Sequence, residues 1–137
     1  MSPVLLFPMA AHVFWAALLY VLLTLARAPT VWGLGRRIDG TNPWAALEPR
    51  ISANLSNQFE WPLFFHVGCI ALLLLQPVPG RPALILAWSF VAGRMLHSAV
   101  QLLTTNIRLR GLVFTLNFLA VLGLWGLIVL DALQPRV

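Results

Sequence analysis

One apolar segment of the chain carries a row of polar side chains that could bind an anion. Arg94, His97, Gln101 and Arg108 are spaced at i, i+3, i+7 and i+14, which places them on one face of a helix. Arg94 lies near the middle of its segment, where an arginine costs at least ~2.5 kcal/mol in a membrane. We therefore expect Arg94 to face the interior of a helix bundle and to have a polar partner.

The preceding segment carries a second polar face. Arg50, Asn54, Asn57 and Glu60 (or Trp61) follow at i, i+4, i+7 and i+10. The first half of this segment is polar and its second half is apolar, so only one end of the helix is suited to a polar cavity.

Folding these two segments into an antiparallel pair brings their polar faces to the same depth. With the turn at residues 77–80, Glu60 is predicted to lie level with Arg94, and Asn57 with His97, to within one helical turn. Two half-polar helices would then line one cavity, with Glu60 and Arg94 near its floor. Arginine forks bind carboxylates bidentately, and a glutamate could hold an ammonium group. The alternative is that these groups only satisfy one another and hold the bundle together.

The composition excludes a soluble monomer. Of 137 residues, 60% are hydrophobic and 9% charged, against about 25% charged in a typical globular domain. The net charge is +5, but the nine basic residues, all arginine, form no basic face, so no nucleic-acid partner is expected. Cys69 is the one cysteine and is predicted to be buried; no metal site is predicted.

The apolar segments predict an all-α, polytopic membrane protein with a four-helix bundle in a single domain, residues 1–137. The predicted helices span residues of about 4–27, 49–76, 82–106 and 111–131. The second would be about 42 Å long, more than the bilayer requires, and Pro62 should kink it. His12 and His66 are expected to be hydrogen-bonded within the bundle, and Asn117 to join two helices.

Arginine placement predicts the orientation of the chain. The first loop with its margins and the third link hold six arginines, whereas the opposite side holds Arg81 and Arg136. The excess of basic residues on cytoplasmic loops places loops 1 and 3 in the cytoplasm and both termini outside.

Two motifs in these segments resemble a known family. Asn57-x-x-Glu60 followed by Pro62, and Gly93-Arg94-x-x-His97 with Arg110 sixteen residues after Arg94, resemble the signatures of the MAPEG family. These are the membrane-associated proteins of eicosanoid and glutathione metabolism. The resemblance covers essentially the whole chain.

The resemblance implies homotrimers that bind glutathione as co-substrate near the cytoplasmic side, between neighbouring subunits. An apolar electrophile or lipid hydroperoxide would enter from the membrane lipid. By position, the residues that would contact glutathione are Arg27, Asn57, Glu60, Arg94, His97, Gln101 and Arg110. Arg110 would be catalytic, lying by the sulfur, since a nearby guanidinium and a helix N-terminus both lower a thiol's pKa.

The sequence departs from the family pattern beside Arg110. Gly111 and Phe114 stand where some members have hydroxyl residues, so Arg110 would have to act without one. The chain looks like a divergent bacterial branch, which implies the bacterial inner membrane. The leading hypothesis is a glutathione S-transferase or peroxidase. The alternatives are a non-catalytic membrane binding or scaffold protein that keeps the fold, and a small transporter subunit.

Overall fold

The computed structural model describes residues 3–76 and 78–134, and every regular element in these residues is helical. A short 3-10 turn, Pro3–Leu5, precedes α1 (Leu6–Trp32), α2 (Glu48–Ser56), α3 (Pro62–Leu75), α4 (Arg81–Leu103) and α5 (Ile107–Ala132). Three helical stretches are long and apolar enough to cross a membrane: Pro3–Trp32, Arg81–Leu103 and Ile107–Ala132. The remaining apolar helix, α3, has 14 residues and is about 21 Å long, which is shorter than the ~30 Å hydrocarbon core of a bilayer.

The continuous second helix predicted for residues 49–76 is wrong, since turns at residues 57–61 separate α2 from α3. Pro62 has no N–H to donate to the carbonyl of Gln58, and its ring would collide with that carbonyl in an unbroken helix. The chain therefore breaks instead of kinking, and Pro62 becomes the first residue of α3, where proline is well tolerated.

The first helix continues past its predicted end near residue 27 to Trp32, with Pro29 inside its last turns. It ends at Gly33, whose φ of 73° is the left-handed conformation favoured at helix C-termini. The Arg36 side chain caps the exposed carbonyls: its Nε donates to the oxygen of Pro29 at 2.6 Å and its Nη2 to that of Thr30 at 3.3 Å.

The last helix begins four residues earlier than predicted, at Ile107 rather than 111. Asn106 caps it, accepting a hydrogen bond from the Leu109 amide at 3.0 Å. Arg108 and Arg110 therefore belong to the start of α5 and not to a link before it. Helix α4 is close to prediction at Arg81–Leu103, against 82–106.

Two buried apolar clusters hold the bundle together. One joins the 3-10 turn, α3, α4 and α5, and it includes the buried Cys69; the other joins α1 and α2 around Leu19, Leu23 and Ile51. Many large apolar side chains remain exposed, Phe14 at 74% for example, as expected for helices that face lipid or other subunits. Of the arginines used to predict orientation, Arg136 lies outside the described residues.

Helices α4 and α5 are in close contact where Gly93 meets Asn117. A β-carbon at Gly93 would overlap Oδ1 of Asn117, so only glycine permits this contact. Asn117 is 0% exposed, and neither its Oδ1 nor its Nδ2 has a hydrogen-bond partner among the described residues. Asn117 thus joins the two helices by packing, without the hydrogen bond that an interhelical amide normally makes.

We predict that Gly93→Ala lowers the free energy of unfolding by about 1–3 kcal/mol, since the added methyl group must displace the buried side chain of Asn117. Gly126→Ala is the matched control, because nothing lies within 4 Å of a β-carbon built there. Thermal unfolding of detergent-purified protein measures both variants. Equal melting temperatures for the two would contradict the close contact.

Candidate functional site

Arg94 lies in the interior of the bundle, with 1% of its surface exposed. Its Nε donates to Oε1 of Gln58 at 3.1 Å, and its Nη2 donates to the backbone carbonyl of Asn57 at 2.8 Å. The predicted interior position of Arg94 and its need for a polar partner are both confirmed. The partners are neutral oxygen atoms of the turn between α2 and α3.

The carbonyl of Asn57 is available to Arg94 because the helix is broken. In a continuous helix this oxygen would accept from the backbone amide of Trp61, four residues on. Here the turn leaves it without a backbone donor among the described residues. The break at Pro62 thus supplies one of the two groups that stabilise the buried guanidinium.

None of the four acidic residues forms an ion pair with Arg94 in the described chain. Asp39 accepts from the hydroxyl and amide of Thr41, which lowers the pKa of this loop carboxyl. Glu48 pairs with Arg27, and Asp131 accepts from Gln76. Glu60 is exposed at the turn. The predicted Glu60–Arg94 ion pair at the floor of a cavity is therefore not formed within one chain, although Glu60 lies near enough for its charge to act on Arg94.

A hydrogen-bonded network extends from Gln58 along the face between α2 and α4. Gln58 Nε2 donates to Oδ1 of Asn54 at 3.2 Å, and Ser98 Oγ donates to the same oxygen at 2.8 Å. Asn54 Nδ2 then donates to Oε1 of Gln101 at 2.9 Å. Trp15 of α1 donates its ring N–H to Ser98 Oγ at 3.1 Å. This network confirms that the polar faces of the two segments meet at matched depth.

Gln101 connects the network to a cavity of about 380 Å³ between the start of α2, the end of α4 and the start of α5. Arg50 and Arg110 lie on its walls, and none of the described residues that line it is acidic. Arg50 is held in place by two bonds, from Nη1 to the carbonyl of Leu102 at 3.1 Å and from Nη2 to that of Thr104 at 3.0 Å. The guanidinium of Arg110 makes no hydrogen bond to any described residue and is free for a ligand.

The electrostatics of this cavity favour an anion. The N-terminal end of α5 is the positive end of the helix dipole, and its first turn holds no acidic residue. Arg50 and Arg110 add to the positive electrostatic potential at this helix end and do not neutralise it. A carboxylate or thiolate would be stabilised there by unsatisfied amides and by the free fork of Arg110.

The structure brings together some of the residues predicted for the site and leaves others apart. Gln101 and Arg110 line the cavity, and Arg94 and Asn57 belong to the adjoining network. His97 is buried, with its Nδ1 lacking a partner among the described residues and its ring 6.3 Å from that of Phe114.

Two predicted residues lie away from this cavity. Glu60 is exposed, and Arg27 donates its Nε to Glu48 at 2.6 Å beside a separate surface cavity of about 330 Å³. In a single chain neither side chain lines the cavity that holds Arg110.

Sequence reasoning missed Arg50 and Gln58 as site residues. Arg50 was on the predicted polar face with Asn54 and Asn57, and that spacing was a usable signal. Gln58 follows Asn54 at i+4, at the edge of the same face, so helical spacing was a usable signal for it too. Spacing does not show that its Oε1 accepts from Arg94 Nε, because that depends on the positions of the two side chains.

Comparison with known proteins agrees with this architecture. A family model described as "MAPEG family" matches residues 5–130, nearly the whole chain. No curated protein and no solved structure matches the chain significantly.

We predict that Gln58→Leu destabilises the protein by about 3 kcal/mol, since a buried charge loses one of its two acceptors. Gln134→Leu, at an exposed position near the end of α5, should change the free energy of unfolding by under about 0.5 kcal/mol. Denaturant titration of the detergent-purified variants measures both. A small effect at both positions would show that Gln58 does not stabilise Arg94.

Proposed function

Because the chain belongs to the MAPEG family, we propose that it is an integral membrane glutathione transferase or peroxidase. In this proposal it binds glutathione, stabilises the thiolate and delivers it to an apolar electrophile or lipid hydroperoxide. Family membership and the apolar helices support the coarser description, a membrane protein of the glutathione and eicosanoid class.

The observation that carries the proposal is the cavity between α2, α4 and α5. Its volume of about 380 Å³ lies within the range of small-molecule sites. Its polar groups suit an anionic peptide. Arg110 offers a guanidinium that makes no hydrogen bond to a described residue, and Gln101 and Thr104 offer neutral hydrogen-bonding groups. Glutathione carries two carboxylates and a thiol, and this pocket favours negative charge.

Arg110 would perform the central chemical task. A thiolate, not a thiol, is the nucleophile, and the adjacent guanidinium together with the N-terminus of α5 would favour the ionised form. The thiol proton leaves to solvent while Arg110 stays protonated. In a substitution, the thiolate forms a sulfur–carbon bond and the leaving group departs with its electron pair. In an addition, the thiolate forms the same bond and the electrophile accepts the electron pair. Gly111 and Phe114 supply no hydroxyl, so Arg110 acts without one.

The remaining predicted residues fit a site completed by a neighbouring subunit. Glu60 is exposed and could hold the ammonium group of glutathione, while Asn57, Arg94 and His97 support the wall behind it. Arg27 would contact the ligand from the C-terminal part of α1. A homotrimer in the bacterial inner membrane, with loops 1 and 3 cytoplasmic, would place these groups around one ligand.

A second candidate is a non-catalytic glutathione-binding protein with the same fold. The absence of hydroxyl groups at Gly111 and Phe114 favours it, since thiol activation then rests on Arg110 and the helix dipole. Binding of glutathione without turnover of a panel of apolar electrophiles would support this candidate over the enzyme.

We predict that glutathione raises the melting temperature of the detergent-purified protein and that Arg110→Ala abolishes the ultraviolet thiolate absorbance of bound glutathione. Arg108→Ala is the matched control, because Arg108 shares the start of α5 but does not line the cavity. It should retain the signal. No binding at millimolar glutathione would overturn the proposed function.

We also predict that Glu60→Gln weakens glutathione binding more than it weakens binding of an analogue that lacks the amine. The physical reason is the loss of one charge-assisted contact, about 1–3 kcal/mol. Isothermal titration of both ligands against both proteins gives the comparison. Equal losses would remove the assigned ammonium contact.

A further inference from the structure

A second cavity, of about 290 Å³, lies between α1 and the start of α3 on the other side of the Arg94 network. Its walls are largely apolar, formed by residues such as Val13, Ala17 and Leu63, and His66 and His12 also line it. Tyr20 and Phe59, which are 52% and 58% exposed, stand at its edge with ring centroids 6.1 Å apart. None of the residues that line the Arg110 cavity belongs to it.

The two histidines at this cavity form a chain that begins at Arg94. His12 Nε2 lies 3.1 Å from Oε1 of Gln58, and His12 Nδ1 lies 3.1 Å from Nε2 of His66. Gln58 Oε1 is also the acceptor for Arg94 Nε. This series of hydrogen bonds therefore runs from the Arg94 guanidinium, which can only donate, through the Gln58 amide oxygen to the rings of His12 and His66.

Arg94 determines the proton positions along this chain. A guanidinium only donates, so Gln58 must present its oxygen to Arg94, and its amide nitrogen points to Asn54. An oxygen cannot donate, so His12 must carry its proton on Nε2. Protonating His12 as well would add a second buried cation beside Arg94, and neither group forms an ion pair with a described carboxylate. His12 Nδ1 is then an acceptor.

The same reasoning extends to the last ring. Since His12 Nδ1 accepts, His66 must donate from Nε2, and in the neutral ring its Nδ1 is left as an acceptor. His66 Nδ1 has no hydrogen-bond partner among the described residues. His66 is half-buried and lines the cavity, so the chain ends in an acceptor beside an apolar space.

We propose that this cavity is a binding site for a small apolar molecule bearing one hydrogen-bond donor, such as an alkylphenol, whose hydroxyl group donates to His66 Nδ1. The apolar walls would hold the alkyl part, and the exposed edge at Tyr20 and Phe59 would admit the ligand from the lipid. The proposal does not depend on glutathione binding.

The unpaired acceptor argues for a ligand rather than a second copy of the chain as the occupant. A neighbouring apolar helix would cover the cavity but leave His66 Nδ1 unpaired in a dry environment, which costs about 1–3 kcal/mol. A hydroxyl-bearing amphiphile would donate a hydrogen bond to His66 Nδ1 and also cover the apolar wall.

The experiment compares 4-hexylphenol with its methyl ether, which has the same apolar body and no donor. Both are titrated into the full-length, detergent-purified protein without glutathione, with protein-free micelles as the blank. We expect the phenol to bind about fivefold more tightly than the ether, the difference that one net hydrogen bond produces. Equal affinities would overturn the proposal.

Two variants locate the site. His66→Phe should remove the preference for the phenol, and Ala17→Leu should abolish binding of both compounds by filling the cavity. Ala10→Leu, at an exposed position of α1 that does not line the cavity, should leave binding unchanged. If neither compound binds the unaltered protein and Ala17→Leu lowers its oligomeric mass, a second copy occupies the cavity and the proposal is wrong.

Nitrogen-15 labelling of histidine tests the proton positions directly, because the chain has three histidines. We expect His12 and His66 both to carry the proton on Nε2, and the phenol to shift the His66 Nδ1 resonance. A proton on Nδ1 of either ring, or no shift on adding the phenol, would contradict the proposed acceptor.

Discussion

The burial of one guanidinium group is the constraint on which the rest of this bundle depends. Arg94 has 1% of its surface exposed in an apolar helix, and its described partners are neutral oxygens of Gln58 and Asn57. The Asn57 carbonyl is available to Arg94 because the chain leaves helical geometry between α2 and α3. Pro62 causes that break, so a backbone defect and a buried charge stabilise each other.

The polar network around Arg94 also separates two cavities of different chemistry. On one side, Asn54 and Gln101 lead to a space that carries Arg110 and the positive end of α5. On the other, Gln58 leads to His12 and His66 beside an apolar space. Because a guanidinium can only donate, it orients the amide and imidazole groups around it. The last atom of this series of hydrogen bonds, His66 Nδ1, is therefore an acceptor. One buried charge thereby sets the pattern of donors and acceptors in the network between the two cavities.

Sequence patterns predicted the general architecture well. The four apolar segments, the interior position of Arg94 and the matched depth of the two polar faces are all present, because helical periodicity and the cost of a charge in lipid are local, strong constraints. The helix ends were predicted less well. Helix α1 was predicted to end near residue 27 although Gly33 and the capping Arg36 lie further on, and the last helix was predicted to begin at 111 although Asn106 caps it at Ile107.

The amino-acid sequence by itself determined the membrane-spanning class, the family signatures and which helix faces are polar, since these follow from residue type and spacing. Only the tertiary structure decided which groups are partners. It gave Arg94 the oxygens of Gln58 and Asn57 in place of Glu60 and paired Arg27 with Glu48. It also placed the guanidinium of Arg110 beside a cavity, without a hydrogen bond to any described residue. The reason is physical: a hydrogen bond depends on ångström-scale positions set by a turn, and periodicity along an ideal helix does not contain that turn.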